Sequence, residues 1–192
     1  VGASAKGHAE GTLGLSWDKP FSYTRQFFDA MEPLLAGKPA DVTGDQVSAH
    51  GELNIASKPT PILLAALGPR MLKFAGARAA GTTLGQCGPK TIASYVKPLL
   101  EVGAEAAGRS VPRIMALVRI CVTEDREAAK TVAREISSFY QEIPSYSAVI
   151  AKEGLAEPAD LHLIGSWQEI LDNLAAYAEA GATDFRIQAA AH

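Results

Sequence analysis

Two short stretches of the chain repeat one order of residues: Ala66-Leu67-Gly68-Pro69-Arg70 and Gln86-Cys87-Gly88-Pro89-Lys90. In each, a predicted strand leads into glycine, then proline, then a cation. Proline fits the first position of a helix, where its missing N–H costs nothing. The unsatisfied N–H groups of a helix start, together with the helix dipole, favour an anion. Glycine lets a phosphate come close to the backbone. The chemistry these turns could do is therefore to hold a phosphate; the plainer alternative is that Gly-Pro only punctuates a tight strand-to-helix turn.

Four further side chains are candidates. Arg119 and Arg186 lie inside apolar runs, where each either reaches into a cavity to bind an anionic substrate or pairs with a carboxylate, the usual fate of a buried charge. Tyr146, in Pro144-Ser145-Tyr146, is either an aromatic lid over a substrate pocket or a packed loop residue. Cys87 reads as a small buried hydrophobe rather than a nucleophile; only Lys90 stands where it could lower the thiol pKa. The histidines (His8, His50, His162, His192) are scattered without ligand spacing, so no metal is expected. There is no GxxxxGK[ST], no GxGxxG between a strand and a helix, and no GxSxG. Gly11-Thr12-Leu13-Gly14 follows no clear strand. None of these residues can be named as catalytic from the sequence.

The elements that must position these groups alternate. A helix is predicted over 21–36, with Phe27, Phe28, Met31, Leu34 and Leu35 as its apolar face and Gly37 as its stop. Residues 37–61 are polar and rich in Gly, Pro and Asp, with a strand-like piece at 45–49, and read as an excursion. The run Ile62-Leu63-Leu64-Ala65-Ala66-Leu67 suits a strand covered on both faces. A helix from Pro69 follows, then a strand at 82–86. The next helix runs to Gly108, with Pro98 inside it expected to cause a kink. The strongest strand is 114–122. Thr123 is the expected cap of a helix through Ala128, Val132, Ile136 and Phe139. Residues 141–163 look irregular, with Pro144 and Pro158 as breakers. Ser166 and Glu169 form a capping box for a helix ending at Gly181, and 184–188 is the last strand. Repeated strand–helix units of this size imply parallel strands with covering helices. About four such strands are present, whereas a closed (β/α)8 barrel has eight in about 250 residues. The fold class is α/β: a small open sheet, or the back half of a barrel.

Composition excludes several function classes. The 192 residues carry 18 Lys and Arg against 21 Asp and Glu, a net charge of −3. With no basic excess, nucleic acid is not an expected partner. No apolar run approaches the ~20 residues of a membrane helix. Two cysteines, Cys87 and Cys121, in separate apolar segments argue against a disulfide scaffold and for a reducing, cytoplasmic setting. The start at Val1 rather than Met implies processing, truncation or an upstream segment.

The stretch Pro61-Ile62-Leu63-Leu64-Ala65-Ala66-Leu67-Gly68-Pro69-Arg70-Met71-Leu72, followed by Ala80-Gly81-Thr82, resembles the fifth barrel strand and following helix of luciferase-like monooxygenases, in particular their deazaflavin-dependent (coenzyme F420) oxidoreductase branch. The likeness extends to Pro33-Leu34-Leu35-Ala36-Gly37-Lys38-Pro39, Cys87-Gly88-Pro89-Lys90-Thr91, Val122-Thr123-Glu124-Asp125, Ile143-Pro144-Ser145-Tyr146 and Ala180-Gly181-Ala182-Thr183-Asp184-Phe185, in order along nearly the whole chain. It implies a TIM-barrel-like (β/α)8 fold of which 1–192 is a single partial domain, the C-terminal half, with insertions near 37–61 and 141–163. It implies an oxidoreductase that transfers a hydride between coenzyme F420, or FMN, and a small organic substrate. The cofactor phosphate would rest on Ala66, Leu67, Gly68, Pro69 and Arg70 and on Gln86, Cys87 and Gly88. Ser4, in Gly2-Ala3-Ser4, would line the same site, although relatives often carry a histidine where Ala5 stands. Tyr146 and Arg186 are the substrate candidates. Against the family, Val1 falls near the end of the fourth strand. A homo-oligomer, or a partner supplying the N-terminal half-barrel, is therefore expected, and a non-catalytic half-barrel subunit is the alternative to an enzyme.

Overall fold

The computed structural model describes residues 1–55 and 58–190. They form two compact units, Val1–Ala65 and Ala66–His192.

The first unit begins with a short helix α1 (Lys6–Gly11) and a longer α2 (Pro20–Leu35) opened by Pro20. The hairpin β1 (Ala40–Thr43) and β2 (Ser48–Gly51) follows, and β3 (Leu63–Ala65) ends the unit. α2 buries Thr24, Gln26, Phe28 and Ala30. This face differs from the predicted one: Phe27 is exposed and stacks on Tyr23, its neighbour one turn back. The reason is polar. Gln26 turns inward and its Oε1 accepts the N–H groups of Gln46 (2.9 Å) and Val47 (3.0 Å). That satisfies the hairpin turn and rotates the helix so that Gln26, not Phe27, faces the hairpin. The turn itself takes 45–47, so the strand-like piece expected at 45–49 lies two to three residues later.

In the second unit, Gly68-Pro69 starts α3 (Pro69–Arg78). β4 (Gly81–Leu84) leads through Gly88-Pro89 into α4 (Pro89–Thr91), a π-helical turn (Ile92–Val96) and α5 (Lys97–Ala106). The kink expected from Pro98 is realised as this π turn. Proline has no N–H to give the preceding turn, and one extra residue is inserted just before it. α3 and α5 touch backbone to backbone. A Cβ on Gly103 would lie 2.0 Å from the Lys73 carbonyl oxygen, and one on Gly76 would lie 2.2 Å from that of Leu100.

β5 (Arg113–Val122) is the central strand. α6 (Arg126–Ser137) follows, capped by Asp125, whose Oδ1 accepts the Ala128 N–H (3.1 Å). Thr123, the expected cap, instead holds the Asp125 N–H (3.0 Å). Moving the cap two residues on also shifts the buried face to Ala129, Ala133 and Ser137, leaving Ile136 and Phe139 exposed. The stretch read as irregular contains a full helix, α7 (Pro144–Glu153), between two 3-10 turns (Ser138–Glu142 and Pro158–Leu161). Pro144 opens α7 rather than breaking it. β6 (Leu163–Gly165), α8 (Trp167–Glu179) and β7 (Asp184–Ala189) complete the chain. Ser166 and Glu169 make the expected reciprocal box: the Glu169 carboxylate accepts the Ser166 N–H (2.8 Å).

All ladders around β5 are parallel. β4 pairs with its first residues (Gly81 opposite Arg113 through Leu84 opposite Ala116), and β6 pairs with its last (Leu163 opposite Ile120 through Gly165 opposite Val122). β7 runs from Asp184 opposite Met115 to Ala189 opposite Ile120. Odd residues of β5 face the β4 and β6 edge, where the Arg113 N–H reaches Ala80 O and the Thr123 N–H reaches Gly165 O. Even residues face β7: Ile114 O and Ile120 O accept from Thr183 and Ala190 N–H. β4 and β6 thus share one edge of β5, end to end.

Successive side chains alternate faces. Ile114, Ala116 and Val118 are buried beneath the helices, and Phe185, level with Ala116, meets Tyr177 of α8 edge-to-face. On the opposite face Met115, Leu117 and Arg119 are half-buried, and Arg186 and Gln188 are exposed. Among the described residues no helix is long and apolar enough to cross a membrane.

Candidate functional site: the glycine turns and the end of the sheet

The two glycine turns come together at the end of the second unit where the parallel strands finish. The Tyr95 hydroxyl, on the π turn that follows the second glycine turn, donates to the Leu67 carbonyl of the first (3.0 Å). The Lys152 ammonium sits 4.6 Å from the centre of the Tyr95 ring, a cation–π distance.

The turns are not equivalent. At the first, Gly68 has extended backbone (φ −78°) and a Cβ placed there would meet nothing within 4 Å. In the first turn of α3 the Leu72 N–H donates to the Gly68 carbonyl (2.9 Å), whereas the Met71 N–H donates to no group among the described residues. At the second, a carboxylate of the chain already occupies the helix start. Glu153 Oε1 accepts the Lys90 N–H (3.0 Å) and Oε2 accepts the Thr91 N–H (2.7 Å). A Cβ on Gly88 would lie 2.3 Å from the Glu153 carboxyl carbon. Gly88 is thus small to admit Glu153, and the anion read into this turn from sequence is Glu153 itself. α7 presents that carboxylate from its C-terminal end, and Thr91 Oγ1 fixes the approach by donating to the Val149 carbonyl (3.3 Å).

Gln86 and Cys87 lie between β4 and this capped turn. Gln86 is buried with φ +59°, one of two non-glycine residues in the left-handed region among those described; the other is Ser4 (φ +60°). Such backbone strain collects at functional positions. Ser4 belongs to the first unit and is exposed. Cys87 is buried, and burial together with the Glu153 charge pushes its thiol up to about 12. It is a thiol at neutral pH, not a nucleophile.

Tyr146 lies beside Gly85, within 3.4 Å of a Cβ placed there, and burial raises its phenol above the ordinary value. Its ring meets Tyr140 edge-to-face at 4.9 Å. Tyr140 in turn accepts a hydrogen bond from Arg119 (3.0 Å) and lies under its guanidinium (5.4 Å to the ring centre). Arg119 therefore takes a phenol, not the carboxylate expected from sequence. Arg186 pairs with Leu117 in the ladder, is exposed, and makes no ion pair among the described residues. Gln86, Cys87, Tyr146 and Arg119 are thus gathered at one place, and Leu67 to Arg70 are tied to it through Tyr95. Three participants carried no sequence signal of that role: Tyr95, Tyr140 and Glu153. Each acts across 21 to 63 residues of chain, and no local pattern encodes that.

Known proteins can be set against this geometry. The family description "Luciferase-like monooxygenase" matches residues 1–184. The chain is 30% identical over 119 residues to the 5,10-methylenetetrahydromethanopterin reductase of Methanolobus tindarius, covering 62% of this chain and 36% of that protein. It is 27% identical over 164 residues to the reductase of the same name from Archaeoglobus fulgidus, covering 84% and 48%. The chain therefore spans less than half the length of these relatives. Among solved structures it resembles an F420-dependent secondary alcohol dehydrogenase (TM-score 0.76, 19% identity, 98% of this chain and 62% of that one). It also resembles the coenzyme F420-dependent tetrahydromethanopterin reductase of Methanopyrus kandleri (TM-score 0.71, 20% identity, 98% and 67%). These likenesses show the fold: an α/β arrangement of parallel strands and covering helices that forms part of a barrel. With the family match running through almost every element described, the chain belongs to the luciferase-like monooxygenase family.

Proposed function

We propose that this chain is the C-terminal part of an oxidoreductase barrel that transfers a hydride between coenzyme F420, with FMN as the alternative, and a small organic substrate. The observation that carries this reading is the uncapped Gly68 turn, held by Tyr95 against the strand ends where the polar groups converge. The phosphate of the coenzyme rests on the Leu67 to Arg70 turn, where glycine leaves room and the start of α3 offers backbone N–H groups and the positive end of the helix dipole. The Gln86 to Gly88 segment serves as a wall rather than as a second phosphate cradle, because Glu153 holds the amides beyond it. Tyr146 and Arg186 face the substrate. The coenzyme supplies the two-electron chemistry when bound. The chain binds and orients it, and Tyr146 with Tyr140 keeps water from the strand ends. The 1–192 chain acts as one partial-barrel domain in the cytoplasm.

The test is a visible-absorbance titration of the purified protein with F420 and, separately, with FMN. Binding changes the spectrum of one of them. Gly68→Leu, whose side chain enters open space and leaves the fold intact, abolishes that change. No spectral change with either coenzyme, or unaltered binding by Gly68→Leu, contradicts the proposal.

A second reading rests on a specific observation: Arg186 and Gln188 of β7 are exposed on the sheet face where Met115, Leu117 and Arg119 are only half-buried. In that reading the chain is a non-catalytic half-barrel subunit whose open face is covered by a second copy or by a partner that completes the barrel. Native mass measurement distinguishes a monomer from either assembly.

A further inference from the structure

β4 ends at Leu84, opposite Ala116, and β6 begins at Leu163, opposite Ile120. Between them the edge of β5 at residues 117–119 has no ladder partner. Because odd residues of β5 direct their backbone polar groups to this edge, the gap faces Leu117 and Arg119. The chain leaving β4 (Gln86, Cys87) and the chain entering β6 (Leu161, His162) close it, with Tyr177 of α8 as a lid. What remains is a cavity of about 10 Å³, room for a single oxygen atom and its hydrogens.

Two side-chain atoms buried here, Gln86 Oε1 and His162 Nε2, have no hydrogen-bond partner among the described residues. Gln86 is 5% and His162 9% exposed. Leaving such atoms buried and unpaired is unfavourable, so two in one cavity call for a shared partner. The oxygen that would pair them must donate to Gln86 Oε1 and also bond the histidine nitrogen. A fully deprotonated anion cannot donate, and a cation, which could bridge two lone pairs, is disfavoured by the Arg119 guanidinium lining the same space. A hydroxyl oxygen does both, and the Arg119 guanidinium lining the same space favours its lone pairs.

We propose that the gap between the end of β4 and the start of β6 is a binding site for one hydroxyl oxygen, held by Gln86 Oε1 and His162 Nε2. That oxygen belongs either to an ordered water or to a hydroxyl group of a bound ligand. In either case it completes the broken edge of the sheet and holds Gln86 in its left-handed conformation, so that Gln86 and His162 are positioning residues for the turn that follows. The ligand source rests on the coenzyme reading above; the water source does not.

Two measurements on the full chain decide it. One is a high-resolution crystal structure without added ligand. The other is the long-range ¹H–¹⁵N spectrum of His162 in wild type and in Gln86→Met, recorded in buffer and after adding FMN, a ligand with a hydroxylated side chain. An electron-density peak within hydrogen-bond distance of both atoms, with a His162 Nε2 resonance displaced in Gln86→Met, establishes the site with water as its source. No peak in buffer, but an Nε2 shift on adding FMN that Gln86→Met loses, establishes it with the ligand hydroxyl as its source. An empty gap together with an Nε2 resonance indifferent to Gln86→Met and to FMN overturns the proposal. Failure of both coenzymes to change the absorbance spectrum, with the density peak present, removes the coenzyme reading and leaves this site standing.

Discussion

His162 shows how burial sets the behaviour of one side chain. Burial, helped by the nearby Arg119 charge, lowers its pKa from the ordinary 6.5 to about 4. The folded protein thus keeps His162 neutral where the unfolded chain protonates it. Stability is fully present above about pH 6.5 and declines as pH falls toward 4, because the unfolded state binds the extra proton. Urea unfolding of wild type should therefore show a falling midpoint across that window, and His162→Gln should flatten the fall. Glu153 gives a second prediction. Glu153→Ala removes a carboxylate from two backbone amides and should cost about 1–2 kcal/mol, the range of a lost helix cap. Gly88→Ala pushes the same carboxylate off the same amides. The double variant should then cost little more than either single change in urea unfolding, whereas independent roles would give additive losses. The residues that compose these contacts were legible in sequence only by type. Gly88 announced a tight place beside a helix start, and the anion it admits sits 65 residues away, beyond any local signal. The same holds for Arg119, whose burial in an apolar strand foretold a partner but not that Tyr140 would be that partner.

The elements follow from periodicity where one apolar face dominates and depart from it where a polar side chain competes. α3, α5, α8 and β5 stand within a few residues of where their patterns put them, because caps, glycines and prolines mark both ends. α6 keeps its length but turns its face, since Asp125 rather than Thr123 satisfies the free N–H groups. α7 was hidden because two prolines read as breakers when one is an opener. Gln26 likewise outweighs Phe27 on α2, because the hairpin turn needs an acceptor more than the helix needs another buried ring. The α3–α5 contact carries a sharp test. Gly103→Ala or Gly76→Ala would drive a methyl into a carbonyl oxygen that belongs to helix backbone and cannot step aside. Each should lower stability by about 1–3 kcal/mol or more, against a few tenths for an Ala change at an exposed helix site, read in urea or thermal melts.

At the scale of the whole chain, family and fold were legible in the stretch from Pro61 to Leu72, where strand, turn and helix fall within a dozen residues. The pairing around β5 was not. Three short strands share two edges of one long strand, and that choice depends on where each ladder starts, which alternation alone leaves open. The division of labour between the two glycine turns was also closed to sequence reading, since both carry the same Gly-Pro-cation order. The central claim is that the Gly68 turn, whose N-cap residue makes no side-chain cap hydrogen bond, takes the coenzyme's anion, whereas the second turn is already filled by Glu153. The most direct measurement is the dissociation constant for the coenzyme that changes the absorbance spectrum, compared among wild type, Gly68→Leu and Glu153→Ala. The account predicts at least about a tenfold weakening for Gly68→Leu, a change of about 1.4 kcal/mol, with Glu153→Ala near wild type. Weakening by Glu153→Ala with Gly68→Leu unaffected would contradict it.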